Sequence, residues 1–253
     1  MTRLGDLFAA TTRRPLVIGH RGAKAHAPEN TLASFRRGIK DGADAIELDV
    51  HLSHDGVPVV IHDESLERTT NGAGEVRAHT LAQLKRLDAG GWFGSAFKGE
   101  RIPTLAEAVE AITPHVPTVV ELKNIDDAYP GLEKAVLDVL RAQRCLDRCL
   151  VISFDPGTVE RVRRADPSVA TGQLGVDPKP SEMEELGAFG DAFLFLHSST
   201  TPAHVAEAAR LGKPLFVWTV NDAGRVRHYA RMGIAGVASD DPAMAVRALK
   251  ALP

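Results

Sequence analysis

Short apolar, β-branched runs alternate along this chain with longer stretches of helical period. The runs are Leu16 to Gly19, Ala45 to Val50, Pro58 to His62, Thr118 to Leu122, Leu150 to Ser153, Ala170 to Leu174, Ala192 to Leu196, Leu215 to Val220 and Gly236 to Ser239. Near-continuous apolarity is the signature of parallel strands covered on both faces. Between them, Asn30 is placed to cap a helix holding Leu32, Phe35 and Ile39, and Thr80 with Gln83 and Thr104 with Glu107 form capping-box patterns. Asp155-Pro156, Thr201-Pro202 and Asp241-Pro242 each set a capping oxygen before a proline at the first helical position, and Gly42, Gly212 and Gly233 stand at helix ends.

Repeated βα units over a chain of this length predict a TIM-like (β/α)8 barrel, with an open doubly wound sheet as the alternative. Two stretches break the repeat. Nine strand candidates are one too many, and Asp49 to His62 leaves no room for a helix, with His54-Asp55-Gly56 reading as a tight turn. The barrel is therefore expected to be irregular between its second and third strands. Residues 70–101, around Gly90-Gly91-Trp92-Phe93-Gly94, exceed an ordinary βα connection and read as an insertion over the C-terminal mouth, within a single domain spanning 1–253.

Composition narrows the partners. A formal net charge of −3 over 253 residues gives no basic excess for nucleic acid or an anionic membrane, so an anionic ligand has to be met locally. No apolar run approaches the ~20 residues of a membrane span. Met1 to Pro15 lacks the apolar centre of a signal peptide and reads as a cytoplasmic start. Cys145 and Cys149, four apart in a helical-looking segment, read as buried thiols of a reducing compartment.

Candidate chemistry gathers at strand ends. Four apolar runs terminate in His20-Arg21, Glu47-Leu48-Asp49, His62-Asp63 and Glu121-Leu122-Lys123. Residues i and i+2 of a strand share a face, so Glu47 points with Asp49 and Glu121 with Lys123. In a barrel these ends converge on the mouth that holds the active site. Three converging carboxylates, Glu47, Asp49 and Glu121, repel one another unless a cation relieves them, and an all-oxygen set suits Mg²⁺ or Ca²⁺. Arg21 and Lys123 supply the positive charge that a transferring phosphoryl group needs, and His20 and His62 titrate near neutrality, as an acid/base pair must.

These residues resemble the glycerophosphodiester phosphodiesterase family. The resemblance rests on His20-Arg21-Gly22, Ala27-Pro28-Glu29-Asn30-Thr31, Glu47-Leu48-Asp49-Val50, Asp55-Gly56 with Val59-Val60-Ile61-His62-Asp63, Arg68-Thr69-Thr70, Ile102-Pro103-Thr104-Leu105, Glu121-Leu122-Lys123, Ser153-Phe154 and Trp218-Thr219-Val220-Asn221, in order and spacing from about Leu16 to Pro242. It implies a TIM-like barrel enzyme that hydrolyses glycerophosphodiesters, small-molecule substrates, to sn-glycerol 3-phosphate and an alcohol with Mg²⁺ or Ca²⁺. By motif, Glu47, Asp49 and Glu121 hold the metal, His20 and His62 exchange protons, Arg21 and Lys123 meet the phosphate, and Trp218 walls the glycerol carbons. Two other readings are a lysophospholipase D-like activity, served by Trp92, Phe93 and Phe97, and a barrel that binds phosphoesters without turnover. At Ser239-Asp240-Asp241-Pro242 a serine stands where the family more often has threonine, a conservative change, and at Phe195-Leu196-His197 the chain departs from the family pattern, which bears on leaving-group contacts and not on the metal core.

Overall fold

The computed structural model describes residues 14–252, so of the segment read as a cytoplasmic start all but Arg14 and Pro15 lie outside the described residues. The chain runs β1 (Leu16–Gly19), α1 (Leu32–Lys40), β2 (Ala45–Leu52), β3 (Pro58–Val60), α2 (Leu81–Leu84), α3 (Leu105–Ile112), β4 (Thr118–Leu122), α4 (Leu132–Ala142) and β5 (Cys149–Ser153). It continues through α5 (Pro156–Ala165), β6 (Ala170–Gly175), α6 (Met183–Leu186), β7 (Ala192–Leu196), α7 (Pro202–Arg210), β8 (Leu215–Trp218), α8 (Ala223–Met232), β9 (Gly236–Ser239) and α9 (Pro242–Lys250).

Eight of these strands are parallel and close on themselves. The order is β1-β9-β8-β7-β6-β5-β4-β2, and β2 returns to β1 through Ile18 opposite Ala45. This is the (β/α)8 barrel, and the open sheet is excluded by that last pairing. β3 accounts for the ninth strand. It folds back antiparallel on the overhanging end of β2, with Val50 opposite Val60 and Leu52 opposite Pro58, outside the closed ring. The reversal occurs at Gly56, whose φ of 77° suits glycine and whose N–H reaches Ser53 O at 3.0 Å.

Strand alternation divides the core in two. Leu16, Ile18, Val119, Leu150, Ile152, Leu174, Leu194 and Phe216 point inward and fill the barrel. Their neighbours Ile46, Leu48, Val50, Val120, Leu122 and Val151 point outward and bury the apolar stripes of α3 and α4. Because both faces of each strand are covered, the buried charged residues of the strands, Glu47, Asp49 and Glu121, sit toward the open end of the barrel.

The capping boxes at Thr80 and Thr104 form as the spacing predicts. At α1 the cap is Thr31, whose hydroxyl accepts from Ser34 N at 3.2 Å, and not Asn30, whose side chain is used elsewhere. Thr201 precedes Pro202 at the start of α7, and its N–H goes to His204 Nδ1 at 3.1 Å in a capping-box arrangement. Asp155 caps α5 by accepting from Gly157 N at 3.1 Å and Thr158 N at 2.9 Å. Asp155→Ala is expected to lower unfolding free energy by about 1–2 kcal/mol, read as a lower urea midpoint at unchanged slope.

Cys145 and Cys149 are both buried, with sulfurs 3.9 Å apart, but they do not share a helix. Cys145 follows α4 and Cys149 opens β5, with a single 3-10 turn between. The long connection after β3 has its own small core of Leu66, Val76, Leu84, Ala89 and Ile102 under Val59 and Ile61. Asp88 ties its glycine-rich tip by accepting from the N–H groups of Gly90 and Gly91 at 2.9 and 2.8 Å. No helix of the described residues is long and apolar enough to cross a membrane.

Candidate active site

At the C-terminal ends of the strands the barrel opens into a recess of about 570 Å³. One side carries His20, Arg21, Glu47, His62, Glu121 and Lys123, and the other is apolar, formed by Phe154, Leu174, Leu194 and Trp218. Asp49, also expected here, is 1% exposed and lies just behind this lining. The loop after β1 brings Arg21 in by a tight turn: Arg21 has φ 51°, and Gly22 follows at φ 92°, where a Cβ would overlap Ser34. Arg21 N donates to Glu47 Oε2 at 2.9 Å, and its guanidinium Nε lies 3.3 Å from Asp49 Oδ2.

Glu47, Asp49 and Glu121 are all buried, and each offers an oxygen within 4.8 Å of the others. Burial, followed by the charges of Asp49 and Glu121, holds the Glu47 carboxyl well above the ordinary glutamate range. Glu121 is pushed up to about 7, again first by burial. Asp49 goes the other way, since Lys123 and Arg21 outweigh its burial and keep it ionised. Lys123 contacts both Glu121 Oε1 and, at 2.9 Å, Asp49 Oδ1, which nevertheless has no hydrogen bond of acceptable angle. Three buried carboxyls in mutual reach, two of them averse to ionising and one with an unsatisfied oxygen, fit a divalent cation with oxygen ligands.

The two histidines are held alike from different parts of the chain. His20 Nδ1 donates to Asp240 Oδ1 at 2.6 Å, and Asp240 Oδ2 accepts from Asn221 Nδ2 at 2.8 Å. His62 Nδ1 donates to Asp63 Oδ1 at 2.6 Å, and Arg68 grips the same carboxylate with Nε at 2.5 Å and Nη2 at 3.0 Å. Each Asp fixes the ring and its tautomer, leaving Nε2 for the recess. Burial lowers both imidazoles below the usual histidine value, against the pull of Asp240 on His20 and of Asp49 and Asp63 on His62. Trp218 lines the apolar side, donating Nε1–H to Leu194 O at 2.9 Å and meeting Phe154 edge-on at 5.6 Å.

Sequence reasoning passed over the residues that hold these groups. Asn30 Nδ2 donates to Asp49 Oδ2 at 2.7 Å from a left-handed backbone (φ 58°), which asparagine tolerates. Asp63 was visible as a charged strand end, Arg68 and Asn221 only as members of ordered motifs, and Asp240 only in the stretch where serine replaces the family's threonine. The buried ring of His51 also braces this side, donating Nε2–H to His62 O at 3.0 Å. Conversely, Trp92, Phe93 and Phe97 stack edge-on among themselves and line no part of the recess.

Comparison with known proteins gives the family. The model of the Glycerophosphoryl diester phosphodiesterase family matches residues 20–244. The chain belongs to that family. A glycerophosphodiester phosphodiesterase of Caldanaerobacter subterraneus is 38% identical over 234 residues, covering 90% of this chain and 95% of the relative. Among solved structures, a phosphodiesterase of Oleispira antarctica in complex with the product sn-glycerol-3-phosphate superposes with a TM-score of 0.89 at 33% identity, covering 94% of this chain and 98% of the other. A glycerophosphodiester phosphodiesterase of Agrobacterium tumefaciens gives 0.81 at 28% identity, covering 92% and 99%. Family membership makes the chain a phosphoric diester hydrolase.

Proposed function

We propose that this chain hydrolyses water-soluble glycerophosphodiesters to sn-glycerol 3-phosphate and an alcohol, using a divalent cation and two histidines. The observation that carries the reading is the juxtaposition, in one recess, of two aspartate-held imidazoles with a carboxylate triad, Arg21 and Lys123. Glu47, Asp49 and Glu121 would hold the cation, which when bound supplies Lewis-acid stabilisation of charge on the phosphoryl oxygens. Arg21 and Lys123 bind and orient the phosphodiester monoanion. One imidazole Nε2 takes the proton of the attacking hydroxyl as its oxygen bonds to phosphorus. The other, protonated, delivers its proton to the alcohol oxygen as the phosphorus–oxygen bond to the leaving group breaks. The attacking hydroxyl being the glycerol 2-OH, water then opens the cyclic phosphate at the bond to that 2-oxygen, with the two imidazoles exchanging roles, to give glycerol 3-phosphate. The apolar half of the recess, Phe154 and Trp218, excludes water from the carbon skeleton beside the reacting phosphate.

The test is release of glycerol 3-phosphate from glycerophosphocholine, glycerophosphoethanolamine and a lysophospholipid, each with Mg²⁺, Ca²⁺ or chelator. Cation-dependent release from the two soluble diesters is the expected result. Faster release from the lysophospholipid would reassign the substrate class, and release undiminished by chelator would remove the cation from the reading.

A further inference from the structure

Glu29 belongs to the Ala27-Pro28-Glu29-Asn30-Thr31 segment between β1 and α1. Its side chain is only 2% exposed and does not line the recess. It nevertheless receives more charged hydrogen bonds than any ligand of the carboxylate triad. Oε1 accepts from Arg21 Nη1 at 2.8 Å and from Arg68 Nη2 at 2.8 Å, and Oε2 accepts from Arg68 Nη1 at 2.9 Å. Arg21 lines the recess and is the guanidinium assigned above to the phosphate. Arg68 is the one that clamps Asp63, which in turn holds His62 Nδ1.

A continuous chain of contacts therefore runs from the recess out to Glu29 and back: Arg21, Glu29, Arg68, Asp63, His62. The formal charges of its first four members sum to zero, so His62 is braced by a neutral set. A carboxylate buried to this degree is costly unless its partners fully compensate it. That cost is unneeded for holding a loop, since an uncharged side chain could pack there. It is explained if the two arginines need a common anchor.

We propose that Glu29 is a positioning residue for the reaction: one buried carboxylate that sets the recess-lining Arg21 and, through Arg68 and Asp63, the imidazole of His62 in a single geometry. The proposal rests on the function argued above. Taking away the charge of Glu29 leaves Arg21 held by Asp49 alone and free to swing from its position, which weakens phosphodiester binding. It also leaves Arg68 to pull Asp63 without a counterweight, which loosens His62. Glu29→Gln should thus raise KM about 10-fold and lower kcat about 10- to 100-fold, the scale of losses from small misplacements of a reacting group. Arg68→Met touches only the second arm and should lower kcat similarly while KM stays within about 2-fold. Because the two residues share one chain, the double variant should lose far less than the product of the single losses.

The experiment combines glycerophosphocholine kinetics of the wild type and these three variants with nitrogen-15 NMR of the histidine rings. In the wild type the His62 ring should be the Nδ1–H tautomer. In Glu29→Gln and in Arg68→Met the His62 ring signals should move, while those of His20, braced separately by Asp240, stay. The proposal is overturned if Glu29→Gln keeps kcat and KM within about 3-fold with His62 unmoved, or if the double variant is simply multiplicative. Should Glu29→Gln fail to fold, Arg68→Met decides, since Arg68 is 43% exposed at its side chain and tolerates truncation. A kcat loss with a moved His62 ring then supports the chain, and an unmoved ring overturns it. If the wild type turns over no glycerophosphodiester, the functional reading fails, and the ring signals, which need no substrate, still judge whether Glu29 and Arg68 position His62.

Discussion

Glu121→Gln is expected to abolish cation affinity and turnover together while leaving a folded barrel. Losing one of three oxygen ligands removes most of the affinity for a hard divalent ion, and with it several kcal/mol of transition-state stabilisation, so kcat/KM should fall by at least about 10³. The stability of the cation-free protein should move the other way. In the native state the Glu121 carboxyl is held up to about 7 by burial, so between the ordinary glutamate value and about 7 the native chain binds a proton that the unfolded chain has released. Cation-free stability therefore declines as pH rises through that window, by up to about 3 kcal/mol. Glutamine carries no such penalty. At pH 8 with chelator, Glu121→Gln should melt above the wild type, and Mg²⁺ or Ca²⁺ should raise the wild-type melting temperature but not the variant's. A variant that melts lower than the chelated wild type, or that keeps its activity, would contradict the assignment of the triad.

That the triad could be read from sequence follows from the barrel itself. Strands buried on both faces are apolar almost throughout, so a glutamate or lysine at the end of Val119-Val120 is conspicuous, and the i, i+2 rule places Glu47 beside Asp49 without any coordinates. Apart from Asp63, the sequence neighbour of His62, what braces these groups is not local and was not readable in the same way. Asp240 reaches His20 only because β9 pairs with β1, with Ser239 opposite Gly19, across 220 residues of sequence. Glu29 and Arg68 meet across 39 residues that include the hairpin. The hairpin was itself ambiguous: the run Pro58 to His62 has the same apolar pattern whether it enters the ring in parallel or folds back on β2. Only the brevity of His54-Asp55-Gly56 hinted at reversal. Asn30 and Thr31 are both good caps, and the choice between them is made by Asp49, which takes the Asn30 amide and leaves the hydroxyl to Ser34.

Asp240→Asn is the second large effect, and it separates holding a histidine from merely neighbouring it. The Asp240 carboxylate can only accept, so His20 must carry its proton on Nδ1 and present a bare Nε2 when neutral. An asparagine can instead offer its NH2 to Nδ1, which favours the opposite tautomer and puts a proton on the nitrogen that should face the substrate. In a serine-protease triad the same substitution costs about 10⁴ in kcat with the geometry intact. Here kcat should fall by about 10² to 10⁴, the worth of one acid/base group, with KM little changed because Arg21 and Lys123 are untouched. His20→Ala should lose a comparable amount, and His20→Ala with Asp240→Asn no more than His20→Ala alone, since Asp240 then has nothing to orient. Asn221→Ala, which only steadies Asp240 Oδ2, should cost far less. Single-turnover rates on glycerophosphocholine measure all four. An Asp240→Asn enzyme with unimpaired kcat would detach Asp240 from catalysis, and a double variant much slower than His20→Ala would mean that Asp240 acts on something other than the His20 ring.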